Sequence, residues 1–170
     1  TPMQKGIVGA ANLNTILQET LNPQGEGLRR GGFVFRVNDK VMQIRNNYDK
    51  EVFNGDIGMI DAVDVAARNL KVNFDGRIVE YDVTELDELT LAYATTIHKA
   101  QGLEFRSVKI VITDEVDELI THNIFYTAIT RAQSKLRIYW TPEVENKVLT
   151  SIQPRSINKD VGLLRRYIRK

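Results

Sequence analysis

A chain of 170 residues, 42% hydrophobic and 26% charged, has the apolar content to bury a core and the balance of an ordinary globular protein. It contains no cysteine, which excludes a disulfide framework and any thiolate metal site, and its two histidines, His98 and His122, lack ligand spacing, so no metal site is expected. No apolar run approaches the roughly 20 residues of a bilayer span, the opening TPMQKGIVG has no signal-peptide character, and a net charge of +1 decides nothing about nucleic acid; a cytoplasmic protein with no membrane association is expected.

Leu13, Ile16, Leu17 and Leu21 recur at helical spacing between Asn12 and Leu21, and Asn22-Pro23 ends that helix because the residue before proline is pushed out of the α region. Gln24 to Gly32, QGEGLRRGG, has four glycines in nine residues and reads as a mobile loop. From about Asp39 to Asp87 the pattern becomes short strands with turn punctuation. Lys40 to Asn46 is strand-like and Asn54-Gly55-Asp56 is a turn. Leu70 to Phe74 and Arg77 to Tyr81 are joined by Asp75-Gly76, the link a type I′ hairpin requires, in a register that sets Val72 against Val79 and Leu70 against Tyr81. A segment this small is marginal alone, so it reads as a barrel inserted in a larger domain.

Beyond it, Leu89 to Ala94, Val108 to Ile112 and Leu136 to Trp140 read as strands around a helix near His122 to Ala132. Apolar strands alternating with helices predict a parallel sheet covered on both faces. From Ser151 to Lys170, six basic residues (Arg155, Lys159, Arg165, Arg166, Arg169 and Lys170) stand against the single acid Asp160. This is the pattern of a solvated terminal helix, with contact to phosphate as the other reading.

In the helix around Phe125, the positions Phe125, Ala128, Ile129 and Ala132 share one face, leaving Thr127, Thr130, Arg131 and Ser134 on the other. A guanidinium held at a domain edge suits a transferring phosphoryl group, because its fork matches phosphate oxygens and it stays protonated. The alternative is a surface ion pair with a nearby acid. Thr95, Thr96, His98 and Lys99 place hydroxyl, imidazole and ammonium groups at the carboxyl end of a strand, where ligands of open α/β sheets bind; such donors suit backbone phosphates, and a structural role is the alternative for His98. Gly102 permits close approach, and Glu104 is a carboxylate able to accept from a ribose hydroxyl. Val108 to Ile112 followed by Thr113-Asp114-Glu115 imitates a magnesium-binding Walker B strand, but no GxxxxGK[ST] phosphate loop occurs in the sequence. Asp114, Glu115, Asp117 and Glu118 therefore read as a solvated acidic loop.

Several segments, taken in order, resemble RecD-like helicases of superfamily 1, the group that includes the exonuclease V alpha subunit. They are TPMQKGIVGAANLNTILQETLNP, DKVMQIRNNYDKEVFNGDIG, LAYATTIHKAQGLEF (similar to motif V) and FYTAITRAQSKLRIY (similar to motif VI), with an ending, DVGLLRRYIR, that is also similar. The resemblance implies an α/β fold in which residues 1–38 and 89–150 form a RecA-like motor domain of P-loop NTPase type without the P-loop. Residues 39–88 would form an inserted SH3-like barrel, and 151–170 a basic tail. It implies an ATP-dependent 5′-to-3′ DNA helicase. Arg131 would reach the γ-phosphate, Gly102, Glu104 and Gln101 would border the nucleotide, and Thr96, His98 and Lys99 would touch single-stranded DNA, with Arg45, Asn46 and Asn47 of the barrel as further contacts. ATP and Mg²⁺ would serve the longer protein, with none bound to this stretch, and an N-terminal motor domain of the same polypeptide and RecBC-like or other DNA-repair proteins would be the partners. The chain then reads as a C-terminal fragment, inactive by itself. The competing reading is a non-enzymatic nucleic-acid or protein-binding module built on the β-barrel.

Overall fold

Two kinds of apolar patterning produce two cores. The computed structural model describes residues 1–113 and 120–151, and within them the chain divides into a β unit, Ala10–Thr95, and an α/β unit formed by Thr1–Gly9 with the chain from Thr96 onward. The acidic segment 114–118 and the basic tail beyond Ser151 lie outside the described residues.

The β unit begins with α1 (Ala10–Leu21), followed by β1 (Gly27–Arg30), β2 (Phe33–Arg36), β3 (Lys40–Gln43), β4 (Ile57–Asp64), β5 (Asn69–Phe74) and β6 (Arg77–Asp82). A short 3-10 helix, Glu85–Glu88, then leads into β7 (Leu89–Leu91). Five strands form an antiparallel sheet in the order β6-β5-β4-β3-β7. The β5–β6 hairpin turns on Asp75 (φ 50°) and Gly76 (φ 94°), both left-handed as a type I′ turn demands, with Val72 opposite Val79 and Leu70 opposite Tyr81. Alternation places these four, with Val41, Ile60 and Leu91, in one buried cluster, which Val52 and Leu86 join from outside the strands.

The glycine-rich stretch expected to be a mobile loop is in part an ordered hairpin. β1 and β2 pair from Gly27 opposite Arg36 to Arg30 opposite Phe33 across the Gly31-Gly32 link. Leu28 and Phe35, both on its inner face, join the same core as the five-stranded sheet. Four glycines suggested backbone freedom, but one buried leucine on an alternating strand outweighs them.

Helix α1 forms where its spacing predicts but presents an unexpected face. Its buried residues are Ala10, Asn14 and Gln18, whereas Ile16 and Leu21 are 48% and 66% exposed. The amides face inward because acceptors await them. Asn14 donates to Ala94 O (2.8 Å) and accepts from Ala94 N (2.9 Å). Gln18 donates to Val34 O and to the Asp39 carboxylate, and Asn22 donates to Asp39 Oδ1 (2.8 Å). Asp39, fully buried, also accepts from Arg36 N and Tyr93 OH. A buried carboxylate with four donors is satisfied, which is the condition for tolerating it. These contacts bind residues 10–38 to the β unit, so this unit extends from Ala10 to Thr95, beyond the 39–88 span of the expected barrel.

β7 is a further correction. Leu89 to Ala94 was expected in the parallel sheet, but Leu89–Leu91 pairs antiparallel with β3, burying Leu89 and Leu91 and leaving Thr90 between them half-buried. Such alternation belongs to a sheet with one solvated face.

The α/β unit contains β8 (Phe105–Val111), α2 (His122–Ile129), β9 (Ala132–Tyr139) and α3 (Pro142–Ser151), with β8 and β9 parallel. Ile110, Ile112, Ile120, Phe125, Ala128, Val144 and Val148 form its core, and the Phe125 and Trp140 rings stack at 5.9 Å. Helix α2 is capped by Thr121, whose side chain accepts from Ile124 N. Helix α3 was not anticipated, although its start is written in Thr141-Pro142-Glu143: Thr141 Oγ1 accepts from Val144 N, proline takes the first helical position and acids fill the first turn. Among the described residues no helix is long and apolar enough to cross a membrane.

Candidate nucleotide and nucleic-acid site

The chain leaves the β unit through Tyr93 and Ala94, both held by α1 and Asp39, and enters a run of tight turns. Ala100 N donates to Thr96 O, Gln101 N to His98 O and Leu103 N to Ala100 O, and Thr96 Oγ1 accepts from Lys99 N (3.3 Å). Buried Ile97 and Ala100 anchor the turn, and Thr96 is 8% exposed. His98, Lys99, Gln101, Gly102 and Glu104 point outward and are exposed. Gly102 has φ +86°, and open space lies where a Cβ would stand. The backbone there can be approached closely, and an L side chain would be strained.

Arg131 lies outside the helix to which periodicity assigned it. Helix α2 stops at Ile129, because Thr130 caps it and its hydroxyl bonds Tyr126 O (2.9 Å). Arg131 therefore occupies the connection to β9, and Ser134 belongs to β9 itself. Its guanidinium donates to Thr127 O (3.0 Å), Leu103 O (2.9 Å) and Thr130 Oγ1 (3.2 Å). No acid pairs with it among the described residues. The Arg131 carbonyl accepts from Phe105 N (2.8 Å), and Gln133 donates to Glu104 (3.0 Å). The 94–105 and 126–139 segments are thus joined through Leu103, Glu104 and Phe105 on one side and Arg131 and Gln133 on the other. Arg131 uses three of its five N–H donors on the protein, leaving two for a ligand.

Arg45, Asn46 and Asn47 belong to the β unit, and two of them build their own loop. Asn46 Oδ1 accepts from Asn54 N (2.9 Å), while Asn47 accepts from Lys50 N and donates to Glu88 (3.0 Å). Arg45 is exposed, close enough to Asp87 to help Arg30 keep that carboxyl below its ordinary value, the Arg30 hydrogen bond being the larger cause. Two neighbours went unnoticed in the sequence: Tyr48 and Phe53, 74% and 44% exposed, with ring centres 5.9 Å apart. Their signal was the aromatic spacing on either side of a polar loop.

Along the chain, an antiparallel β unit is thus followed by a parallel α/β unit. Residues 91–139 match the UvrD-like helicase C-terminal domain. Residues 13–74 match the SH3 domain of ATP-dependent RecD-like DNA helicases, and the chain belongs to this RecD-like family. It is 41% identical over 135 residues to the ATP-dependent RecD2 DNA helicase of Deinococcus radiodurans, a match covering 79% of the chain and 19% of that protein. It is 28% identical over 153 residues to the RecBCD enzyme subunit RecD of Buchnera aphidicola, covering 84% and 24%. The chain thus spans about a fifth to a quarter of the length of these relatives. The crystal structure of Pif1 helicase from Bacteroides in complex with ADP-AlF3 and ssDNA shares its fold, with TM-score 0.59 and 20% identity over 93% of the chain and 43% of that structure. The fold is mixed α/β, with a RecA-like parallel part and an SH3-like part.

Proposed function

We propose that this chain is the C-terminal part of an ATP-dependent 5′-to-3′ DNA helicase, supplying one side of an ATP site completed by another motor domain of the same polypeptide. The observation that carries this reading is the junction of the two helicase-like segments: Arg131 is fixed by Leu103 O, within one residue of Gly102 and Glu104. A group bridging both segments couples whatever the 94–105 turn touches to whatever the guanidinium touches. ATP with Mg²⁺ would supply the hydrolysable phosphate bond. Arg131 would direct its two remaining N–H donors at phosphate oxygens, Gly102 would admit a phosphate near the backbone, and Gln101 and Glu104 would border the nucleotide. Thr96, His98 and Lys99 would hold a single strand by its phosphates, joined by Arg45, Asn46 and Asn47. RecBC-like or other repair proteins would be partners of the longer protein, acting in the cytoplasm.

The 170 residues contain no GxxxxGK[ST] loop, so the purified chain is expected to show no metal-dependent ATP turnover. Measurable turnover would overturn the shared-site reading. In the longer protein, Arg131→Ala should abolish hydrolysis while ATP binding persists in weakened form; unchanged turnover removes Arg131 from the mechanism. His98→Ala should depress DNA-stimulated turnover more than basal turnover, and equal losses in both would make His98 structural. The exposed Tyr48–Phe53 pair favours the alternative of a non-enzymatic binding module built on the barrel. That reading predicts Arg131→Ala to be silent.

A further inference from the structure

The parallel pair β8–β9 has two unlike faces. Val108 lies opposite Leu136 and Ile110 opposite Ile138, and all four pack in or against the core of the α/β unit. On the reverse face Ser107 lies opposite Lys135, Lys109 opposite Arg137 and Val111 opposite Tyr139. Lys109, Lys135 and Arg137 are exposed, and Tyr139 is 48% exposed. Parallel strands are ordinarily apolar on both faces because both are covered; here one face alternates to cations. Lys109 and Arg137 are like charges at directly opposed positions, an arrangement unfavourable in a sheet without a counter-charge. Among the described residues neither strand places a carboxylate on this face, and the ion pairs Arg30–Asp87, Lys50–Glu85 and Arg77–Glu51 lie in the β unit. Lys135 and Arg137, two residues apart on one strand, stand about 6.6 Å apart along it.

We propose that this face is a nucleic-acid backbone contact separate from the 94–105 turn. Lys109, Lys135 and Arg137 bind phosphates of a single strand, and the Tyr139 ring at the end of the row meets a base. Cations in a row with an adjoining aromatic ring are the combination that grips single strands without reading sequence. The inference rests on the reading that the protein holds single-stranded DNA, and it adds a second place at which it does so.

The test is binding of a fluorescent oligothymidine to the full 170-residue chain, followed by anisotropy across a salt series. Each phosphate contact contributes about 0.7 to the slope of log affinity against log salt for single strands. The triple variant Lys109→Gln, Lys135→Gln, Arg137→Gln should therefore lose about 2 from that slope, with at least a tenfold weaker affinity at low salt and an unchanged melting curve. Should the triple variant melt early, the double variant Lys109→Gln, Lys135→Gln should lose about 1.4. An unchanged slope in a folded variant, with wild-type chain binding normally, overturns this inference and leaves the strand-binding reading standing. Failure of the wild-type chain to bind overturns both. Binding of polyglutamate but not oligothymidine, lost in the triple variant, assigns the face to an acidic protein and also overturns the proposal.

Discussion

The β unit and the α/β unit treat their polar groups in opposite ways. In the β unit the conspicuous polar side chains are turned inward and closed off: Asp39 takes four donors, and Gln43 joins Tyr81 OH (2.9 Å) to Glu88 (2.9 Å). In the α/β unit His98, Lys99, Gln101 and Glu104 of the 96–104 turn and Lys109, Lys135 and Arg137 on the reverse of β8–β9 are exposed. The first arrangement fixes a shape, since a satisfied buried network has few alternatives of similar energy. The second leaves donors turned toward solvent. Exposed hydrogen-bonding capacity is thus concentrated in particular segments of the α/β unit.

The largest effect that would test this contrast is Asp39→Ala, which orphans the donors of Gln18, Asn22, Tyr93 and Arg36. It should cost about 3–4 kcal/mol in urea unfolding of the β unit. A loss below about 1 kcal/mol would mean that the network only accompanies the core and does not help to hold it. Next is Gly102→Ala, which forces a left-handed residue without meeting any neighbouring atom. It should cost about 1 kcal/mol and weaken strand binding through the displaced turn. Stability lost without a change in binding would detach the turn from DNA.

The smallest effects are those of pH, and they act from both ends on the β unit. Burial raises the Tyr93 hydroxyl, and the hydrogen bond to the Asp39 carboxylate raises it further, to about 12 from an ordinary 10.0. The folded state thus prefers neutral tyrosine, and this contribution is complete below pH 10.0 and lost as pH climbs through about 12. Burial also raises Glu85, but the hydrogen bonds from Lys50 and Asp82 N outweigh it and leave the carboxyl below its ordinary 4.5. That contribution is present above pH 4.5 and drains as pH falls through the lowered value. Thermal melts of Tyr93→Phe and Glu85→Gln should each flatten one end of the pH profile. A profile unchanged in both variants would place the pH dependence elsewhere.

What could be read in advance followed from local rules. The Asp75-Gly76 hairpin, its register and the apolar face of α2 need only nearest-neighbour chemistry. The inward turn of Asn14, Gln18 and Asn22 does not, because their acceptors, Ala94 and Asp39, are distant in sequence. The fate of Leu89–Leu91 was hidden for a similar reason: three residues of strand fit either sheet, and only pairing with β3 decides between them. Arg131 was assigned to a helix, because periodicity cannot see Thr130 ending that helix at Ile129, three residues short of Ala132. The cationic face of β8–β9 was legible in Lys109 and Arg137 only once the parallel register placed them side by side.

Asn14 holds both the N–H and the C=O of Ala94, two positions before the chain crosses into the other unit at Thr96. Both bonds fasten the backbone just before the 96–104 turn, as a cleat fastens a rope. The fastening is made to α1, a twelve-residue helix, beyond the three-residue ladder of β7. A single asparagine thereby ties the exit of the β unit to α1 rather than to its sheet.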